Sequence, residues 1–483
     1  MIPPNVRPAE PPRLPSLEDI QNIKTQNAKL NTVDNSIHNI GTRLKRENEE
    51  VIQACDEKDT QNSFIYCSGK LLESVMYHEL YNDSKTYVDK PLRFDPNQTI
   101  ADFLAKFPMD VKEIKKAELR QFVDQYFFED GHELDDCILE DWTEHPAPLK
   151  NIQDNDLREW AYQLNGIWKD LCRKTKPDVY ANPQRYSLIA LPHEFIVPGQ
   201  RFQESYYWDT YWIIKGLLRS NMTSTAKKMI QNFFHIVKTY GYVLNGNRYY
   251  YARRSQPPFL SFMVKDYFDA TQDVDFLFEA LPVLEKEMSW WEQNRMISVS
   301  VNHHDYDVFR FRADSNVPRP ESYFQDVNTT SKITDLQEKH RVWRDISSAA
   351  ESGWDFSSRW LRNTSDESSF DTSNIAPVDL NAILCGAYSI IGDLYEYIGY
   401  SLKSDDYKSK KEKFRETFSS VFWGANNTGW YDYHVDDKRH NTEFYPSNAV
   451  PLFTKCYGPM EEEHLVEIYS RMKSQGAFEY PGE

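Results

Sequence analysis

Apolar residues recur at every seventh position near the start of the chain: Ile23, Leu30, Ile37, Leu44 and Val51. Val33 and Ile40 occupy complementary places, while Gln26 and Glu47 interrupt that second row. An α-helix turns once in about 3.6 residues, so this spacing draws one apolar stripe along it. A short coiled coil over residues 16–52, joining copies of the chain into a homo-oligomer, satisfies the pattern. So does an amphipathic helix lying on its own domain. Ser16 opens the segment with S-L-E-D, the signature of a capping box. Before it, residues 1–15 are proline-rich and polar, the composition of a disordered, extended arm.

From about residue 99 onward the helical period dominates. It predicts helices over Thr99–Phe107, Asp154–Arg173, Trp208–Arg219, Thr225–Tyr240 and Val274–Gln293, then over Ala376–Tyr397, Asp406–Phe418 and Met460–Ser474. Strand-like alternation is confined to Tyr249–Arg253 and Tyr306–Phe311. The prediction is an all-α chain built as a toroid of paired helices. No glycine-rich phosphate loop follows a strand, so nucleotide binding is not indicated.

The bulk chemistry narrows the function. The 483 residues can bury a large core, and the net charge of −18 argues against nucleic-acid and anionic-membrane partners. No window holds eighteen uninterrupted apolar residues, and the N-terminus shows no apolar signal core. The six cysteines lack metal-binding spacing. In N-H-H-D-Y-D, Asn302 to Asp307, the adjacent histidines diverge in helix or strand, so no metal or other cofactor is expected.

The densest chemistry lies in VPGQRFQESYYWDTYW, Val197 to Trp212, where paired charges stand among polar-tipped aromatics. Flat rings suit the C–H face of a sugar, and forked charges suit its hydroxyls. On these residues alone a buried amphipathic helix start is the alternative use of the pattern. The run resembles the first signature of the trehalase family, PGGRFxExYxWDxY, with Gln200 in place of the second glycine. A second stretch, ESGWDFSSRW from Glu351 to Trp360, resembles the same family. So do NGNRYYYARRSQPPF from Asn245, PRPESY from Pro318 and APVDLNA from Ala376, in the same order. The resemblance runs from about Cys67 to the last residue.

That resemblance implies an (α/α)6 toroid and inverting hydrolysis of α,α-trehalose to two glucose molecules, with no cofactor. It makes Asp355 the catalytic general acid; read without the family, an aspartate in W-D-F could equally cap the helix of S-S-R-W. It makes Arg201, Trp208, Asp209, Asn245, Arg254, Ser255, Gln256, Arg319, Pro320, Glu321 and Gly353 the sugar-binding set. The chemistry suits them: arginine forks for vicinal hydroxyls, carboxylates to accept from hydroxyls, a tryptophan face, and a glycine that lets backbone approach closely. Secreted animal relatives resemble this chain around Cys55 and Cys67, which implies a small disulfide loop there. Sequons at Asn82, Asn97, Asn221, Asn328, Asn363 and Asn426 lean the same way, against the missing signal core. The family's later QWDxPxGW signature and the glutamate acting as general base have no counterpart in this chain. The expectation is a catalytic domain over residues 55–483 without the base or the closing helices, inactive alone. A sugar-binding or interaction protein without turnover is the alternative.

Overall fold

The computed structural model describes residues 50–56, 58–424, 429–459, 462–476 and 479. The proline-rich arm, the heptad segment through residue 49 and the sequon at Asn426 lie outside them. Helices of eight residues or more are α1 (Lys70–Tyr77), α2 (Pro96–Lys106), α3 (Lys116–Tyr126), α4 (Asn155–Leu171), α5 (Tyr207–Arg219), α6 (Thr223–Tyr240), α7 (Leu260–Thr271), α8 (Val274–Asn294), α9 (Leu336–Glu351), α10 (Val378–Tyr397), α11 (Ser401–Val421) and α12 (Glu462–Ser474). Aspartate caps set many of their starts: Asp95, Asp154, Asp273 and Asp335 each accept a backbone N–H from the first turn that follows. Gly241, at φ +93°, ends α6 in the left-handed conformation that glycine adopts at little cost.

Short connectors fold α5 onto α6, α7 onto α8 and α10 onto α11, and α5, α7 and α10 pack side by side. Such a row of helical hairpins is the arrangement expected of a toroid of paired helices. Sequence periodicity placed α4, α5, α6, α8, α10 and α11 to within a few residues, but missed α1, α3, α7 and α9. Helix α7 buries every residue from Leu260 to Val264 and turns Lys265, Asp266 and Asp269 outward only beyond them, which leaves a short period to read. Helix α9 hides polar groups instead: His340, Arg344, Asp345, Ser347, Ser348 and Glu351 are all buried. The face of α4 carrying Leu157, Trp160, Leu164 and Ile167 is exposed. Its Trp168 lies against Gly216 of α5, where an added Cβ would meet the ring at 2.8 Å.

Strands are short. Leu134–Asp136 (β1), Cys172–Thr175 (β2) and Phe195–Ile196 (β3) form one antiparallel sheet; Met296–Val301 (β4) and His304–Phe309 (β5) form a hairpin. Ile375–Ala376 (β6), Tyr433–His434 (β7) and Arg439–His440 (β8) form the third sheet. Asn302 and His303, both at positive φ, make the two-residue turn of the β4–β5 hairpin, as its twist requires. The strand expected over Tyr249–Arg253 is instead a 3₁₀ turn, Tyr249–Tyr251. Its Tyr250 and Tyr251 both bond into a buried polar cluster rather than alternating between two faces.

Two hydrophobic cores meet at that cluster. One is built from the helical hairpins; the other, from Ala54 to Phe127, closes over Tyr206, Tyr250 and Tyr251. Between them Lys85 pairs with Asp89 at 2.5 Å and Glu204 at 2.7 Å, and Arg248 pairs with Glu204 and with Glu133 at 2.8 Å. Tyr250 donates to Asp89, Tyr206 donates to Glu204, and the Arg248 guanidinium donates to Ser187. All of these side chains are buried. Burial opposes the charge on Glu204, but Lys85 and Arg248 outweigh it and hold its carboxyl down at about 2.

Three disulfides staple the chain. Cys55–Cys67 closes the loop implied by the family resemblance, Cys137–Cys172 ties the segment after β1 to β2, and Cys385–Cys456 ties α10 to the turn following residues 450–454. The sequence carried no sign of the second and third, whose partners stand 35 and 71 residues apart.

Glu287 of α8 accepts a hydrogen bond from the Tyr207 hydroxyl at 2.6 Å, and that hydroxyl accepts from the backbone N–H of Leu260, linking α8, α5 and α7. Burial pushes the Glu287 carboxyl from 4.5 up to about 7, against a smaller lowering by the Tyr207 bond. A folded value above the unfolded one means the neutral acid contributes its stability below about pH 4.5, and that contribution is lost as pH rises through about 7. Thermal unfolding followed from pH 5 to pH 8 should therefore show stability declining by roughly 2–3 kcal/mol from this group. Glu287→Gln should flatten that decline; an equally steep profile in the variant would show that Glu287 is not its source.

Candidate active site

Helix α5 begins at the site, and its first turn faces a cavity of about 350 Å³. That volume falls in the range of about 300–1,000 Å³ that holds small ligands. Tyr206 precedes the helix without a capping side chain, so the free N–H of Trp208 is capped from a distance by the Gln256 side chain, at 3.0 Å. Asp209 sits in the same first turn, where the helix dipole favours a negative charge.

Ten of the twelve expected residues line this cavity: Arg201, Trp208, Asp209, Asn245, Arg254, Gln256, Arg319, Glu321, Gly353 and Asp355. Ser255 and Pro320 do not. Ser255 is fully buried, its hydroxyl donates to Val243, and its backbone N–H is held by Glu351 at 2.8 Å. Pro320 is a buried first residue of the 3₁₀ turn Pro320–Ser322, fixing the backbone that presents Glu321. Tyr206, Tyr251, Ser322, Ala350 and Phe356 also line the cavity, as do Pro198 and Phe202. Most of these lie within the quoted signatures, and their aromatic character was the available signal.

The three arginines are each already paired. Arg201 forks onto Asp83 at 2.5 and 2.8 Å, Arg319 onto Asp326 at 2.9 and 2.7 Å, and Arg254 donates to Glu321. Their forks are therefore not open to vicinal hydroxyls in the simple way the sequence suggested; each carboxylate fixes a guanidinium and leaves its remaining N–H groups for a ligand. Among the described residues Arg254 Nε and Glu321 Oε2 are buried without a hydrogen-bond partner. A polar ligand satisfies such atoms, which are costly to leave bare. Asn245 gives its amide N–H groups to Ser255 and Ala350 and keeps its carbonyl oxygen available.

Asp355 follows α9 through a left-handed Gly353, at φ +70°. The helix-capping part that W-D-F could have played falls to Ser357, whose side chain accepts the Arg359 N–H. The Asp355 carboxyl is open to the cavity, yet the protein atoms crowding it raise its pKa, more than Arg319 and Arg254 lower it. Burial also raises Asp209, and the charge of Asp355 adds to that rise. Glu321 behaves oppositely: burial opposes its charge, but Arg254 and Arg319 hold it below the ordinary range. The cavity thus holds one carboxyl whose pKa is lowered and two whose pKa is raised, the direction of separation that acid–base chemistry uses.

Glu351 organises the back of the site. It is fully buried and accepts from Arg295 and from the backbone N–H groups of Ser255 and Arg312. One carboxylate so fixes the segment bearing Arg254 and Gln256 relative to the helix that leads to Asp355. A larger hollow of about 830 Å³, between α1 and residues 323–331, is lined by none of the expected residues.

Helical hairpins presenting such a cavity define a glycoside-hydrolase type of site, and the comparisons name the family. The Trehalase family model matches residues 79–483. Trehalase of Homo sapiens is 41% identical over 398 residues, covering 82% of this chain and 68% of that protein. Trehalase of Apis mellifera is 38% identical over 408 residues, covering 84% and 65%. The chain thus spans about two thirds of the length of the curated relatives it matches. Among solved structures, neutral trehalase Nth1 from Saccharomyces cerevisiae has a TM-score of 0.48 at 22% identity, covering 59% of this chain and 58% of that one. The chain belongs to the trehalase family.

A Cβ built on Gly353 would lie 2.6 Å from the Trp208 ring, so the room this glycine leaves is filled by the tryptophan edge. Gly353→Ala should cost about 2–4 kcal/mol, from the left-handed backbone and from overpacking. It should also shift the tryptophan fluorescence as the ring is displaced into the cavity. Wild-type stability in chemical denaturation would show that the ring yields freely.

Proposed function

We propose that the cavity binds trehalose and that Asp355 protonates the glycosidic oxygen as trehalose is split by inversion. The observation that carries the reading is the raised pKa of Asp355 in a cavity whose other walls are Arg254, Arg319, Glu321 and the Trp208 ring. A carboxyl whose pKa is raised holds its proton to higher pH and can donate it to a leaving oxygen, and the bare Arg254 Nε and Glu321 Oε2 suit sugar hydroxyls.

Inversion also needs a carboxylate about 6.5–9.5 Å away that deprotonates water on the opposite face of the ring. Of the other carboxyls lining the cavity, Glu321 is committed to Arg254, and the family resemblance gives Asp209 a hydroxyl-binding part. We therefore place the general base outside this set. The described cavity then recognises the sugar and supplies the acid, and without a base its turnover is slow.

Two measurements test this. Calorimetry with the 483-residue chain should show trehalose binding, weakened by roughly 1–3 kcal/mol in Arg254→Lys and in Arg319→Lys, since lysine cannot reproduce a paired, planar fork. Normal affinity in both variants would mean that the sugar binds elsewhere. Glucose release from trehalose should be slower by orders of magnitude than the binding would support, with Asp355→Asn removing a further ~10²–10⁴-fold of what remains. Vigorous hydrolysis that Asp355→Asn abolishes would hand the base role to another carboxylate of the cavity, whereas turnover indifferent to that change would remove Asp355 from the mechanism.

A further inference from the structure

Asp326 does not line the cavity, yet its carboxylate is committed to a residue that does. It sits on the short helix Tyr323–Thr329, directly after the turn that presents Glu321. Its Oδ2 accepts the backbone N–H of Arg319 at 2.8 Å and the Nε–H at 2.9 Å, while Oδ1 accepts from Nη2 at 2.7 Å. Among the described residues, every hydrogen bond given to this carboxylate comes from Arg319. The arginine is thus gripped at its main chain and along one edge of its fork. Its guanidinium also lies over the Phe356 ring, 4.9 Å from the centroid, and Phe356 follows Asp355. The Nη1 end is left for a ligand, and the grip decides where that end points.

The anchor of Arg254 differs. Glu321 stands in the cavity wall itself, so replacing it removes a possible ligand contact along with an anchor. Asp326 is buried behind the wall, where its backbone carbonyl accepts from the Trp343 indole of α9 at 3.1 Å. Any influence it has on a bound sugar passes through Arg319.

We propose that Asp326 is a positioning residue for sugar binding and for proton donation: it aims the Arg319 guanidinium into the cavity and offsets the charge that Arg319 directs at Asp355. This assignment builds on the reading of the cavity as a trehalose site with Asp355 as its acid. Asp355 shares the cavity with Arg319 and Glu321, with Arg254 from the segment before α7, with Asp209 of α5, and with Arg201 from the loop before α5. Burial raises the Asp355 pKa, and Arg319 is the foremost charge lowering it. With a neutral side chain at 326, that arginine acts unopposed and a nearby negative charge is gone. Both changes favour the ionised carboxyl, so Asp355 gives up its proton at lower pH.

A double-mutant cycle on the 483-residue chain tests this, with trehalose affinity read by calorimetry. Asp326→Asn should weaken binding roughly tenfold to a hundredfold, the range for hydrogen bonds to a charged group. In an Arg319→Gln chain the same substitution should change affinity by less than about twofold, since no guanidinium remains to be aimed. An equal loss in both backgrounds would make Asp326 part of the general framework and overturn the proposal. A buried arginine stripped of its partner can unfold a protein, so Asp326→Glu provides a second route. It keeps the charge and displaces the fork by one methylene, so affinity should fall while Asp355 titrates near its wild-type midpoint. Wild-type affinity in Asp326→Glu would overturn the aiming role. Carboxyl-carbon NMR of aspartate-labelled chain, with the Asp355 signal assigned from Asp355→Asn, reads the midpoint without sugar. It should lie lower in Asp326→Asn than in wild type; an unchanged or higher midpoint would overturn the charge offset. A chain that binds no trehalose but shows the lowered midpoint would sink the reading of the cavity and leave the hold of Asp326 on Asp355 standing.

Discussion

The structure depends on five charges held away from water. Lys85, Asp89, Glu133, Glu204 and Arg248 come from segments far apart in sequence and meet where the two hydrophobic cores touch. Taking ions out of water is expensive, and losing one partner of a buried pair typically costs about 3–5 kcal/mol. The cluster is tolerable only because each charge has an opposite, with tyrosine hydroxyls donating to Asp89 and Glu204 as well. Its geometry is correspondingly stringent. Tyr206 and Tyr251 belong both to this cluster and to the cavity wall, so the placement of the candidate site is inherited from the ionic cluster behind it.

A second carboxylate repeats the strategy at smaller scale. Glu351 satisfies backbone N–H groups from two separate stretches as well as an arginine. Asp379 and Asp432 do the same around Arg359, with Asp432 also accepting the Val378 N–H at the start of α10. In each case a charged side chain serves where regular secondary structure offers no backbone partner. Loops that would otherwise wander are pinned next to the cavity, as a preorganised site requires.

These hubs explain what could be read in the sequence and what could not. Amphipathic helices such as α6 and α8 announce themselves by period, and the Asp273 cap of α8 and Gly241 after α6 mark one end of each. The cavity residues were legible through the concentration of arginines, carboxylates and aromatics in a few signatures. Glu204 and Glu351 stand in those same signatures and look no different from their neighbours on paper, but the fold turns them inward to hold structure. Ser255 is another such case, its role in the site passing through its backbone. Buried charge breaks the rule that polar residues lie outside and masks α9 in a reading by polarity, although Val342, Trp343, Ile346, Ala349 and Ala350 keep a helical spacing. The pairing of Cys137 with Cys172, and of Cys385 with Cys456, depends on tertiary approach and leaves no local trace.

The close approach of Gly353 to Trp208 has a consequence for how the family can diversify. Two separate constraints act on position 353: the indole edge occupies the space of a Cβ, and the backbone has φ +70°. A smaller side chain at 208 would lift the first and leave the second. Only residues that tolerate the left-handed conformation, asparagine foremost, could then follow glycine at 353. Change at these two positions is therefore ordered, with the tryptophan lost first, and any lineage that keeps the indole keeps the glycine.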